Sequence, residues 1–256
     1  TSPDEGHPAA PAQPLPMGAM KTAAFDYELP PERIAQHPVE PRDAARLLVL
    51  HRQDDCLEHA HFRDLPRYLV PGDLLVANES RVLPARLRGR KHSGGRVEVL
   101  LLRRLDERRW QALVGGERIR AGLEVVLGAP QAEGQDAGHF PAAGKALRAR
   151  VEETRDDGTR VLSFEEGVEP FLESLGVVPL PPYIHEPLAD PERYQTIYAR
   201  VAGSVAAPTA GLHFTPRLLQ QLQQQGVRLA FVVLHIGLDT FRPIEVEEVE
   251  QHPIHS

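Results

Sequence analysis

Val97-Glu98-Val99-Leu100-Leu101-Leu102 is the first of five short apolar runs that decide the fold class. Trp110–Val114, Leu123–Leu127, Ala146–Val151 and Val161–Phe164 follow it, separated by Gly, Asp and Arg clusters, and no helical period connects them. Short strands at close spacing with turn signals between them predict a small antiparallel β-barrel. Gly128–Gly144, with four glycines and two prolines, reads as a long loop within it.

On either side the pattern differs. Upstream, Leu47–Leu50 and Leu74–Ala77 are short apolar strands, and Asn78-Glu79-Ser80-Arg81 is a polar turn at the carboxyl end of the second. In α/β folds that is where ligand-binding groups sit. Downstream, Val168–Leu175 reads as a helix ended by Gly176, and Pro179-Leu180-Pro181-Pro182-Tyr183 as a rigid extended segment. Thr215-Pro216 is a helix start, Thr as N-cap and Pro at the first helical position. That helix runs through Leu218, Leu219 and Leu222 to Gly226, and Val227–Leu234 follows as a buried strand ending at His235. Residues 1–20 hold five prolines and four alanines, too little apolar surface to offset ordering, so they read as disordered with the fold beginning near Phe25.

Composition bounds the classes. The 256 residues are 41% hydrophobic and 25% charged, which excludes a wholly disordered chain and allows one or two domains. A single cysteine, Cys56, excludes an internal disulfide framework and favours a reducing cytoplasm. The longest apolar runs fall far short of the roughly 18 residues of a membrane helix, and no secretory leader opens the chain. A soluble, cytoplasmic protein without a membrane partner is expected. The net charge is -7, yet between Arg81 and Arg109 ten cations face Glu98, Asp106 and Glu107 alone. A local excess of seven positive charges in an acidic chain favours nucleic acid as partner over a merely solvated strand face.

Two segments carry candidate chemistry. Gly203–Pro216 is rich in small residues that let a ligand approach the backbone, and the helix behind it offers free N–H groups and a positive dipole end. His213 precedes that helix, placed to act as base or donor, although a small-residue turn with a structural histidine explains the segment as well. His235-Ile236-Gly237-Leu238-Asp239-Thr240 is either a binding loop or a strand-capping turn. His252 and His255, with His235, form a weak zinc signal because no acid or cysteine set accompanies them, so no metal is expected. His59 and His61 read as surface residues.

At this point several segments together resemble one family, the S-adenosylmethionine:tRNA ribosyltransferase-isomerases of queuosine biosynthesis. The resemblance rests on Phe25–Pro30, Arg46–Val49, Asn78–Leu87, Gly94–Leu101, Pro179–Ile184, Tyr194–Ala199, Gly203–Thr215 and Leu234–Pro243. It implies a mixed α/β fold: a large α/β domain, residues 21–83 and 166–256, with a smaller antiparallel β-barrel inserted at 84–165. It implies transfer and isomerisation of the ribosyl part of S-adenosylmethionine onto 7-aminomethyl-7-deazaguanine in tRNA with a GUN anticodon, giving epoxyqueuosine and releasing adenine and methionine. S-adenosylmethionine is then a consumed substrate, and no resident cofactor is implied. A sulfonium acidifies the neighbouring sugar carbon, so the reaction needs a base.

On the matching positions the candidate bases are His213, Glu79 and His235, and the resemblance does not choose among them. The substrate-binding candidates are Asn78, Arg81, Tyr183, Thr209, Gly211, Thr215, His235 and Thr240. Arg86, Arg88, Arg90 and Lys91 are the tRNA-binding candidates, and a monomer is expected. Asp239 stands where the family carries glycine. The family also continues beyond the position of Ser256, so the resemblance implies that its C-terminal part is missing here. The competing expectations are a non-catalytic tRNA-binding remnant or fragment of that enzyme and, third, a histidine-site metallohydrolase.

Overall fold

Residues 20–128, 146–237 and 244–252 are described in a computed structural model. They belong to two compact units, Thr1–Arg33 with Phe241–Ser256, and Ile34–Thr240. In the second unit β1 (Arg46–His51) and β2 (Cys56–His61) form an antiparallel hairpin on which His59 and His61 are exposed. β3 (Leu74–Asn78) and β4 (Ser80–Val82) follow, separated by Glu79 alone. The expected polar turn at 78–81 is therefore a break between two strands.

The barrel is β5 (Arg86–Lys91), β6 (Arg96–Arg104), β7 (Arg109–Gly115), β8 (Glu124–Leu127), β9 (Leu147–Thr154) and β10 (Arg160–Phe164). Its antiparallel order is β5-β6-β7-β10-β9-β8, and β8 pairs back onto β5, so six strands close on themselves. Closure follows from strand alternation. Leu147, Ala149 and Val151 point inward while Arg148, Arg150 and Glu152 point out, and Leu87, Val99, Leu101, Val125 and Leu127 repeat the pattern. α1 (Glu169–Leu175) packs Leu172 and Leu175 onto that core and ends at Gly176, as its sequence indicates. β11 (Gly176–Val177) then pairs with the outer part of β5. The fold is thus mixed α/β around a closed antiparallel barrel. Most of the Gly128–Gly144 loop expected inside it lies outside the described residues.

β12 (Val201–Ser204) runs parallel to β4, and after α2 (Pro216–Gln224) the chain enters β13 (Arg228–Val232), parallel to β3. α2 starts and stops as its sequence indicates, Thr215 accepting from Leu218 N–H at 3.2 Å and Gly226 taking φ +92°. The strand after it is shorter than Val227–Leu234 and is not buried: Phe231 is 40% and Leu234 65% exposed. A two-stranded sheet has little to bury against. Leu218, Leu222 and Val227 with Phe62, Leu65, Leu69 and Leu75 make one small core beside it, whereas Leu74, Val76 and Val232 remain exposed.

In the first unit pairing begins ahead of Phe25. Val249 N–H donates to Met20 O at 2.9 Å, Lys21 bridges Glu248, and Thr22 Oγ1 donates to Val246 O at 2.7 Å. Residues 1–19, expected to be disordered, lie outside the described residues.

Gly89 sits where β5 meets β8, and a Cβ there would run into the Val126 carbonyl oxygen and the backbone of Leu127. Gly89→Ala should therefore destabilise the fold by about 1–3 kcal/mol, read as a lower urea midpoint. An unchanged midpoint would show that the closure has slack.

Candidate active site

The site is built where β3, β4, β12 and β13 end. Asn78 does not face outward as a ligand group. Its Nδ2 donates to Leu234 O at 2.8 Å, and its Oδ1 accepts from Leu234 N–H and Ser80 N–H, both at 3.1 Å. Two residues on, Ile236 N–H donates to Ser204 Oγ at 3.0 Å, and Ser204 Oγ donates to Ser80 Oγ at 2.7 Å. Both serines are buried, and Val205 N–H completes the strap by donating to Ile236 O at 2.9 Å. Residues 234 and 236 are thus fixed from either side, with His235 between them. The His235 ring lies 2.5–2.9 Å from where a Gly203 Cβ would stand, and Gly203 has φ +148°, so only glycine leaves that seat open.

Glu79 lies beside this strap. Its carboxylate is paired with the Arg200 guanidinium, and its side chain is 13% exposed. Arg200 also lies 5.7 Å over the Phe231 ring. From Phe231 an aromatic chain runs through Tyr198 (5.5 Å), Phe214 (6.2 Å) and Phe62 (4.9 Å) to His213, 5.2 Å from Phe62. His213 and Glu79 therefore stand at opposite ends of an apolar chain. Burial, and then the charge of Arg193, hold the His213 imidazole below its ordinary pKa, while burial pushes the Tyr198 hydroxyl up.

Two expectations about the Gly203–Pro216 segment change. The space beside Gly211 is filled by the Tyr198 hydroxyl and the Thr196 methyl, so the missing Cβ serves internal packing and gives a ligand no approach there. The start of α2 is also already engaged. Besides capping Leu218, Thr215 Oγ1 donates to the buried Asp43 carboxylate at 3.1 Å, which brings negative charge to the positive dipole end.

The remaining candidates are spread more widely. Thr209 is exposed, and Tyr183 is 53% exposed with its carbonyl accepting from Gln36 Nε2 at 3.0 Å. Arg81 is ion-paired with Glu192. Arg86 and Arg88 share Glu98, at 3.6 and 3.3 Å. Arg90 Nη1 donates to Gly94 O at 3.0 Å, and Lys91, one residue out of phase with the arginines, reaches Glu117 O. Thr240, Asp239 and His255 lie outside the described residues. Among the described residues no three His, Cys, Asp or Glu side chains are grouped to hold a metal.

Sequence reasoning missed the supports. Arg42 donates to Gln195 O (2.7 Å), Leu212 O (3.2 Å) and Glu192 O (3.0 Å), tying the Glu192–Gln195 turn to the His213 segment. The Gln195 amide pairs with both backbone groups of Val82, at 3.0 and 2.9 Å. Neither side chain carries a local signal, since each acts across more than a hundred residues.

The profile of a family described as "Queuosine biosynthesis protein" matches residues 22–256. The chain belongs to that family. Two curated relatives in it are both named S-adenosylmethionine:tRNA ribosyltransferase-isomerase. The relative from Moorella thermoacetica is 52% identical over 93% of this chain and 66% of its own length. That from Symbiobacterium thermophilum is 54% identical over 93% of this chain and 66% of its own length. The chain thus spans 66% of the length of these queuosine biosynthesis proteins. A crystal structure of S-adenosylmethionine tRNA ribosyltransferase from Thermotoga maritima is 39% identical, covering 83% of this chain and 58% of that one, with a TM-score of 0.32.

Ser204→Ala should leave the Ile236 N–H without its acceptor and cost about 1–3 kcal/mol. Hydrogen exchange at Ile236 should quicken far more than at the barrel amides, and equal exchange in both would remove Ser204 from the strap. A second test concerns His213. Because its folded pKa is depressed, the unfolded chain binds the extra proton first as pH falls past the ordinary value of 6.5. The stability contributed by the neutral ring is present above that value and lost below it. His213→Gln should then lose less stability than the parent between about pH 7 and pH 5, measured by urea melts; parallel losses would show that His213 titrates normally.

Proposed function

We propose that the chain acts on S-adenosylmethionine and tRNA as its relatives' names describe, transferring and isomerising the ribosyl moiety onto 7-aminomethyl-7-deazaguanine. The observation that carries this reading is identity above 50% over nearly the whole chain to proteins of that name, coinciding with the strapped strand-end site. That site offers the chemistry the reaction asks for. His235 stands in it on a rigid seat, and the His213 imidazole, held below its ordinary pKa, lies at the far end of the aromatic chain from Glu79. The Glu79–Arg200 pair stabilises charge beside the strap.

The finer reading is a GUN-anticodon tRNA held partly by Arg86, Arg88, Arg90 and Lys91, with Tyr183, Thr209 and Thr240 towards the small substrate. S-adenosylmethionine is consumed and no resident cofactor takes part. The barrel at 84–165 is a module inserted into the α/β part at 21–83 and 166–256. The chain acts as a cytoplasmic monomer; among the described residues no helix is long and apolar enough to cross a membrane.

The test supplies the chain with ribose-labelled S-adenosylmethionine and precursor-modified tRNA. Label should enter tRNA as adenine is released in equal amount. His213→Ala and His213→Gln should both lower turnover by about 10²–10⁴ with little change in S-adenosylmethionine binding. Near-normal turnover in both would pass the base role to Glu79 or His235. Absence of transfer would leave a tRNA-binding protein without catalysis.

A further inference from the structure

Arg42 and Asp43 open a short turn of 3₁₀ helix, Arg42–Ala44, far in sequence from His213. Their side chains nevertheless reach the chain on either side of that histidine. Arg42 Nη1 donates to Leu212 O at 3.2 Å, one residue before it, and Asp43 Oδ2 accepts from Thr215 Oγ1 at 3.1 Å, two residues after it. A third contact leaves the same stretch. Ala45 O accepts from Phe62 N–H at 2.8 Å, and the Phe62 ring carries the His213 ring, 5.2 Å away and tilted by 44°.

The helix α2 is seated by other means, with Leu218 and Leu222 in an apolar core against Phe62, Leu65, Leu69 and Leu75. What Arg42 and Asp43 add is the course of the chain ahead of that helix. Asp43 is 6% exposed, and a buried carboxylate is costly unless its oxygens find donors. The Thr215 hydroxyl is one such donor, and the positive end of α2 lowers the cost further. Arg42 also donates to Gln195 O at 2.7 Å and Glu192 O at 3.0 Å, so its guanidinium cannot leave Leu212 without straining two further bonds. An anchor on each side leaves His213 little freedom in φ and ψ. An imidazole that moves a proton must stand within hydrogen-bond reach of it, which is what such anchoring secures.

We propose that Arg42 and Asp43 are positioning residues for His213, gripping the chain before and after it and so fixing where its imidazole stands on Phe62. The catalytic consequence rests on the reading of His213 as the base.

The test reads the ring and the reaction separately. In the chain isotope-labelled at histidine Cε1, the His213 resonance is the one lost in His213→Gln, and the Phe62 ring displaces it from the position of a free histidine. Arg42→Ala and Asp43→Ala should each move it back towards that position. Asp43→Asn, which keeps an acceptor for Thr215, should leave it in place. In the labelled-ribose assay the two alanine variants should turn over about tenfold to a hundredfold more slowly, the loss expected of a misplaced group, with KM for S-adenosylmethionine unchanged. Melting temperatures show which variants are folded, and should Asp43→Ala unfold, Arg42→Ala and Asp43→Asn decide. An unmoved resonance in Arg42→Ala, or one that moves as far in Asp43→Asn as in Arg42→Ala, would overturn the proposal. A moved resonance with turnover unchanged would leave the grip standing and remove His213 as the base. An unmoved resonance, with turnover lost in His213→Ala, would keep the base and overturn the grip.

Discussion

Strand β5 makes three ladders at once, with β6, β8 and β11, and the rest of the barrel unit depends on that. Its pairing with β8 closes the sheet and removes both edges, which an antiparallel sheet of this length would otherwise expose. Closure turns Leu87 into a fully buried core residue, so its neighbours Arg86, Arg88 and Arg90 must face outward together. The same strand anchors β11. Gly89 is a tight point on it, where two backbones approach too closely for any side chain.

The strand-end site is held by a different principle. β3 and β13, and β4 and β12, are parallel pairs with few rungs, and the stretch from Val233 to Ile236 leaves the regular ladder. Side chains replace the missing rungs. Asn78 offers an acceptor and a donor in the spacing of a peptide group, and the buried Ser80–Ser204 pair accepts the next free amide. Polar groups buried this deeply are costly unless satisfied, and each of these bonds serves the backbone that presents His235. The residues most suggestive of ligand binding by type, Asn78 and Thr215, turn out to hold the architecture.

Charge is similarly redistributed by folding. The excess of positive charge between Arg81 and Arg109 does not form one field. Arg81 meets Glu192, Arg104 meets Glu169, and Arg109 meets Asp106, while the β5 row shares Glu98.

Much of the local structure was legible in the sequence by itself. Short apolar runs separated by turn residues marked the barrel strands, Thr215-Pro216 and Gly226 bounded α2, and Gly176 ended α1, because each signal lies within a few residues of what it controls. The family was legible too, since its motifs are contiguous. Burial of β13 was misjudged because an apolar strand reads alike whether or not another layer covers it. The break at Glu79, the pairing of Glu79 with Arg200, and the filling of the Gly211 space by Tyr198 depend on partners distant in sequence. Sequence set the periodicities and the caps; tertiary structure decided which polar groups were consumed in holding the chain and which were left for chemistry, because that depends on pairings across more than a hundred residues, such as Asn78 with Leu234 and Gln195 with Val82.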